Sequence, residues 1–184
     1  MRLFIDMDGT LARFHDEVQY LERMFEKGFF SGLKPFEQAV KAANRLAEEA
    51  NGEYEVFILS AAVDGEPPYC CDEKHQWLDR NCPAIDREHR IFTHIGIPKA
   101  EYIPGCIGAD DILWDDYNKN LEEWEANGGT AIKCKNNINH KGLIGTLWQG
   151  EIIENEIPAE AIVSRFSEIV REAAQASEDE DWDL

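Results

Sequence analysis

No stretch of this 184-residue chain is apolar for long enough to cross a bilayer, basic residues are scarce, and the cysteines are too few and too irregular to staple a fold. Each shortage removes a class of function. A spanning helix needs about 20 consecutive apolar residues, so no membrane role is expected. Without a basic-then-apolar leader, the expected location is the cytoplasm. Lys and Arg number 18 against 37 Asp and Glu, for a formal net charge of −19. Such a chain repels polyphosphate, which argues against DNA or RNA as a bound polymer. Five cysteines, an odd number, argue against a disulfide framework. Cys70, Cys71, His75 and Cys82 cluster without a Cys-x-x-Cys pair, a poor spacing for zinc. There is no Gly-x-Ser-x-Gly elbow, no nucleophile–base pattern among the histidines, and no internal repeat. A Gly142-x-x-Gly145 run reads as plain loop rather than a phosphate cradle.

What is present begins at the first residues. Arg2-Leu3-Phe4-Ile5 has the content of a buried strand, and Asp6-Met7-Asp8-Gly9-Thr10 comes directly after it. In extended backbone, residues i and i+2 point the same way, so Asp6 and Asp8 would share one small volume. Two carboxylates that close are costly unless a cation holds them. Magnesium suits such hard oxygen ligands and tolerates a site shared with phosphate. The alternative is a polar Asp-Gly turn after an N-terminal strand.

Further strands are expected at Glu55–Leu59, ending at Ser60, at Arg90–Ile95, at Asp111–Trp114, ending in Asp115-Asp116, and at Thr130–Cys134. Helical spacing is expected from Pro35 to Asn51, from Asn118 to Asn127 with Leu121 and Trp124 inward, and from Pro158 onward. A shorter helix begins near Asp72 and places Lys74 on the surface or at a substrate edge. Val18, Leu21, Met24 and Phe25 form one helical stripe between Phe14 and Gly28. The alternation predicts an α/β fold, a Rossmann-like, mostly parallel sheet flanked by helices, with ligands at the strand C-termini. Residues 1–184 read as one domain, with a small helical cap inserted at 13–34 and a mobile acidic tail at 177–184.

Strand-end Asp6-x-Asp8-Gly9-Thr10, strand-end Ser60, loop Lys99 and strand-end Asp115-Asp116, in that order, resemble the haloacid dehalogenase-like (HAD) superfamily. The resemblance implies a first strand central in the sheet, Asp6 as nucleophile and Asp8 as general acid and base. It implies Ser60 and Lys99, with Thr10 bracing the turn, as phosphate-binding groups, and Lys74 as the rival lysine. Magnesium would take Asp6, Asp8 through its carbonyl, and Asp115. Asp116 would be a further ligand, the carboxylate that orients Lys99, or a helix cap. A narrower resemblance, to the 5'(3')-deoxyribonucleotidase and cytosolic type C 5'-nucleotidase family, rests on Asp6–Phe14, Gly32-Leu33-Lys34-Pro35, Leu113–Tyr117 and Gly128–Lys133. Leu59 departs from it, where better-known members have Thr, as does the Cys- and Pro-rich segment after Ser60.

That resemblance implies a nucleoside monophosphate, chiefly of the deoxyribonucleotide type, as substrate. Phe14, Phe29 and Phe30 are candidates for substrate binding, with core packing the alternative for all three, and Phe14 matches the position where that family places an aromatic facing the substrate. Another small phosphate ester is the nearest alternative, and a non-catalytic phosphate- or nucleotide-binding regulator the most distant. Homo-oligomerisation stays open.

Overall fold

A computed structural model describes residues 1–63, 69–139 and 148–180, with side chains to 172. The Gly142-x-x-Gly145 run lies outside the described residues. Six strands form one sheet: β1 Arg2–Ile5, β2 Glu55–Ala62, β3 Arg90–His94, β4 Asp111–Asp115, β5 Thr130–Lys135 and β6 Glu151–Glu154. Their order is β3-β2-β1-β4-β5-β6, and each adjacent pair is parallel. The first strand is therefore central, between β2 and β4. Register places Ile5 beside both Ile58 and Trp114, so the residues after Ile5 emerge next to the ends of both neighbours.

Alternation along β1 divides its side chains between two cores. Leu3 and Ile5 join Ile58, Ile112, Trp114 and Ile132 in one. The apolar stripes of α3 (Glu37–Glu49) and α6 (Ala159–Glu180) cover that side. Phe4 joins Leu59, Leu113 and Ala131 in the other, under Leu121 and Trp124 of α5 (Asn118–Ala126). Leu59 is thus a core residue, which accounts for an apolar side chain there. Among the described residues no helix is long and apolar enough to cross a membrane.

Four elements depart from expectation. The stripe from Phe14 to Gly28 is not one helix. It breaks into a 3-10 turn at Phe14–Asp16, α1 at Tyr20–Arg23 and, beyond it, α2 at Phe29–Gly32. Gln19 at φ 56° and Gly28 at φ 91° interrupt the helical path. Val18, Leu21 and Phe25 are consequently 77%, 58% and 58% exposed. Strand β2 runs on to Ala62, so Ser60 sits inside it, beside Phe92. The edge strand β6 escapes the sequence pattern because two isoleucines between glutamates are too short a signal. Finally, α6 continues through Glu180, so residues 177–180 of the expected mobile tail are helical, and 181–184 lie outside the described residues.

The helix after β2, α4 (Tyr69–Asn81), begins before Asp72. Its inward stripe is Cys70, Glu73, Lys74, Trp77 and Leu78, a 3.6-residue period in which two of five positions are charged.

Candidate active site

The C-terminal ends of β1, β2 and β4 converge on one cleft. Asp6 leaves β1 with its N–H bonded to the Trp114 carbonyl at 2.9 Å, and its side chain is buried. Lys99, in a 3-10 turn (Lys99–Tyr102) set off by Pro98, is buried as well. Its ammonium donates to Asp6 Oδ1 and to Asp115 Oδ2, both at 2.6 Å. Asp115 also accepts from the Tyr117 N–H and from Asn120 Nδ2, each at 2.8 Å. The carboxylate that orients Lys99 is therefore Asp115 and not Asp116. Asp116 does not cap α5 either, since the capping position is Tyr117 and no side chain caps it. Instead Asp116 Oδ2 accepts from Asn136 Nδ2 at 2.9 Å and lies 3.7 Å from His15 Nδ1.

A second buried lysine serves the second aspartate. Lys74 Nζ donates to Asp8 Oδ2 at 2.5 Å, Ser60 Oγ at 3.0 Å and the Ala61 carbonyl at 2.5 Å. It is fully buried, which overturns its reading as a surface residue; the stripe of α4 carries it inward. Both lysines are buried at the site, and of the two Lys99 lines the cleft. Each faces a different carboxylate of the Asp6–Asp8 pair.

The turn between them is held from the far side of the sheet. Asn136 Nδ2 donates to the Gly9 carbonyl at 2.8 Å, and Asn155 Nδ2 to the Thr10 carbonyl at 3.0 Å. The Thr10 hydroxyl does not brace the turn. It is buried against the Cys134 thiol and makes no hydrogen bond to oxygen or nitrogen. Thr10 is also absent from the cleft lining, because its backbone turns back towards α3 after Gly9. Gly9 has φ +86°, and a Cβ there would stand 2.3 Å from Asp116 Oδ2. Only glycine permits both the left-handed turn and the approach of Asp116.

The electrostatics call for a cation. Burial pushes Asp6 up to about 7 against the pull of Lys99, and Asp115 and Asp8 add to the rise. Burial, then Asp115 and Asp6, raise Asp116 well above the carboxylate range. Burial alone would lower Lys99, but Asp115 and Asp6 together hold it above its ordinary value. Asp6, Asp115 and Asp116 can bring one ligand oxygen each within 4.8 Å of the others. Asp8 Oδ1 is buried and unpartnered. Hard oxygen donors that outnumber the lysines acting on them, Lys99 and Lys133, fit a divalent cation.

A cleft of about 170 Å³ opens over these groups, walled by Phe14, His15, Tyr117 and Asn120. Phe29 and Phe30 do not line it. They pack behind Phe14, with centroids at 5.7 and 6.1 Å, and are buried. His15, Tyr117, Asn120, Asn136 and Asn155 went unread in the sequence. Only Asn120, one helical turn beyond Asp115-Asp116, carried a local signal.

A carboxylate pair after the central strand of a parallel sheet, answered by Ser60, Lys99 and Asp115-Asp116 on neighbouring elements, defines a HAD-type phosphatase. Residues 14–154 match the family described as "5' nucleotidase, deoxy (Pyrimidine), cytosolic type C protein", and the chain belongs to that family. It is a phosphatase of the 5'-nucleotidase kind. The match begins at residue 14, after Asp6 and Asp8. Among solved structures it is similar to D,D-heptose 1,7-bisphosphate phosphatase from Burkholderia thailandensis, with a TM-score of 0.59 and 13% identity over 90% of this chain and 97% of that one. It also matches the HAD domain of effector protein Lem4 from Legionella pneumophila, an inactive mutant, with a TM-score of 0.47 and 14% identity over 73% and 84%. No curated protein matches its sequence.

Proposed function

We propose that the protein hydrolyses nucleoside monophosphates, deoxyribonucleotides above all, with magnesium and through an aspartyl-phosphate on Asp6. The observation that carries this is the double pairing on the cleft floor, Asp6–Lys99–Asp115 beside Asp8–Lys74–Ser60, with Phe14 on the wall above. Asp6 is the nucleophile: an oxygen of its carboxylate attacks phosphorus and the bond to the ester oxygen breaks. Asp8 gives its proton to the departing alkoxide, then takes one from the water that attacks the acyl phosphate, releasing inorganic phosphate and restoring Asp6. Ser60 and Lys74 hold the transferring phosphoryl group by hydroxyl and ammonium, and an arriving phosphate competes with Asp8 for the Lys74 ammonium. Lys99 fixes the rotamer of Asp6 and ties it to Asp115.

Asp6, Asp115 and Asp116, with the Asp8 carbonyl, would hold the magnesium, which when bound neutralises the phosphate oxygens and lowers repulsion against an anionic nucleophile. Phe14 supports the nucleotide assignment, since it lines the cleft and bases stack on aromatic faces. The modest size of the cleft favours a second reading, a smaller phosphorylated metabolite.

A panel of nucleoside monophosphates, sugar phosphates and glycerol phosphates, assayed with and without magnesium, tests both. Nucleoside monophosphates should give the highest kcat/KM, and EDTA should abolish turnover. Preference for a base-free ester would replace the first reading by the second, and full activity in EDTA would remove the metal.

A further inference from the structure

Helix α4 carries two buried charges in succession, and the catalytic reading uses only Lys74. Its neighbour Glu73 is 5% exposed. Its carboxylate accepts the Gly28 N–H at 2.5 Å and the Phe30 N–H at 3.1 Å, with a longer contact from Ser31 at 3.5 Å. Among the described residues these partners are backbone amides and not a cationic side chain. A carboxylate is costly to bury unless donors fill its lone pairs, and bonds from N–H to an ionised acceptor are the stronger kind. The donors here all belong to the segment that packs behind Phe14 of the cleft wall.

Two more residues of α4 grip the same segment. Trp77 Nε1 donates to the Leu33 carbonyl at 2.8 Å, and Arg80 donates to the Ser31 carbonyl. Positions 73, 77 and 80 are successive turns on one helical face, so a continuous row holds residues 28–33. What the row holds in place is Phe29 and Phe30, the rings directly behind Phe14. Consecutive residues of a helix point about 100° apart. Lys74 can therefore point to Asp8 and Ser60 while Glu73 points to the 28–33 amides, and the two meet only at Phe30, whose ring lies 4.8 Å from the Lys74 ammonium.

We infer that Glu73 is a positioning residue for substrate selectivity, a latch that fixes the 28–33 segment on α4 and so holds the Phe14 ring over the leaving group. The selectivity half rests on the nucleotide reading above; the latch half rests on geometry alone. Three measurements on Glu73→Gln separate them: amide hydrogen exchange over residues 28–33, kinetics on a nucleoside monophosphate and on glycerol 2-phosphate, and a thermal melt. Glutamine keeps the shape but turns an NH₂ towards one of the amides. Exchange at Gly28 and Phe30 should quicken by about tenfold or more. KM for the nucleotide should rise about fivefold or more while kcat and the glycerol 2-phosphate rate stay within about twofold.

Glu73→Asp, which keeps the charge on a shorter arm, should recover part of both effects and supplies the measurement if the glutamine variant does not fold. Unchanged exchange in both variants overturns the latch. Faster exchange with both substrates falling in step with the melting temperature overturns the selectivity role. If wild-type protein does not hydrolyse nucleoside monophosphates at all, the proposed function fails, and the exchange data still decide the latch.

Discussion

At the floor of the cleft, Lys74 and Lys99 are buried and each is locked between acceptors on different elements; on the overhanging segment, Val18, Leu21 and Phe25 stand in solvent. Charge is inside where chemistry is expected, and apolar surface is outside where the chain breaks into short helices. The floor is over-determined. Asp6 is fixed by its N–H, by Lys99 and by the register of β1 with β4. The overhang is tied chiefly through α4, by Glu73, Trp77, Arg80 and the Lys74 ammonium over the Phe30 ring, and through the aromatic stack around Phe14.

The sharpest way to break that comparison is at the nucleophile. Asp6→Asn should reduce turnover below about 1% of wild type while the thermal midpoint changes little, because the amide is nearly isosteric but cannot form the acyl phosphate. Retention of more than a few per cent would remove Asp6 from that role. Asp8→Asn should cost about 10²–10⁴ in rate. The loss should be smaller with p-nitrophenyl phosphate, whose leaving group needs little proton donation. Equal losses on alkyl and aryl esters would mean that Asp8 only shapes the site.

Gly9→Ala tests how tightly the floor is built. The left-handed turn would strain by about 1–3 kcal/mol, and the new methyl would displace Asp116. A lower melting temperature together with a higher magnesium requirement is expected; a wild-type magnesium titration would detach Asp116 from the metal site.

The remaining two tests fall on the overhang. Phe14→Ala should raise KM for nucleoside monophosphates by the factor that about 1–3 kcal/mol of stacking represents, with glycerol 2-phosphate hydrolysis nearly unchanged. Loss on both substrates in step with stability would make Phe14 plain core. Smallest of all, Leu21→Ser with Phe25→Ser should shift stability by no more than about 0.5 kcal/mol per site, since neither side chain is buried. A clear drop in melting temperature would show that this apolar face is covered in solution, and the contrast between floor and overhang would narrow.

Much of the floor was legible along the chain. Asp6-x-Asp8-Gly9, Ser60 and Asp115-Asp116 each come after an apolar run, and a parallel sheet delivers strand ends to one edge, with Lys99 in the turn beyond β3. The inward stripe of α4 was legible in principle. Cys70, Glu73, Lys74, Trp77 and Leu78 have helical period, but charge at two of those positions disguises it. The overhang misled for the opposite reason: Val18, Leu21, Met24 and Phe25 have the period without the helix, because Gln19 takes a left-handed conformation that no local rule demands.

What the sequence alone determined is therefore what neighbouring residues control: strand and helix identity, the Gly9 turn, and the order of the candidate site residues along the chain. The tertiary structure decided which charges go inside and whom they meet. Lys99 reaches an aspartate 93 residues away, Lys74 one 66 away, and Asn136 a carbonyl 127 away. Burial of a charge is favourable only when such partners are already in place, and their arrival depends on the sheet that assembles them rather than on the residues beside them.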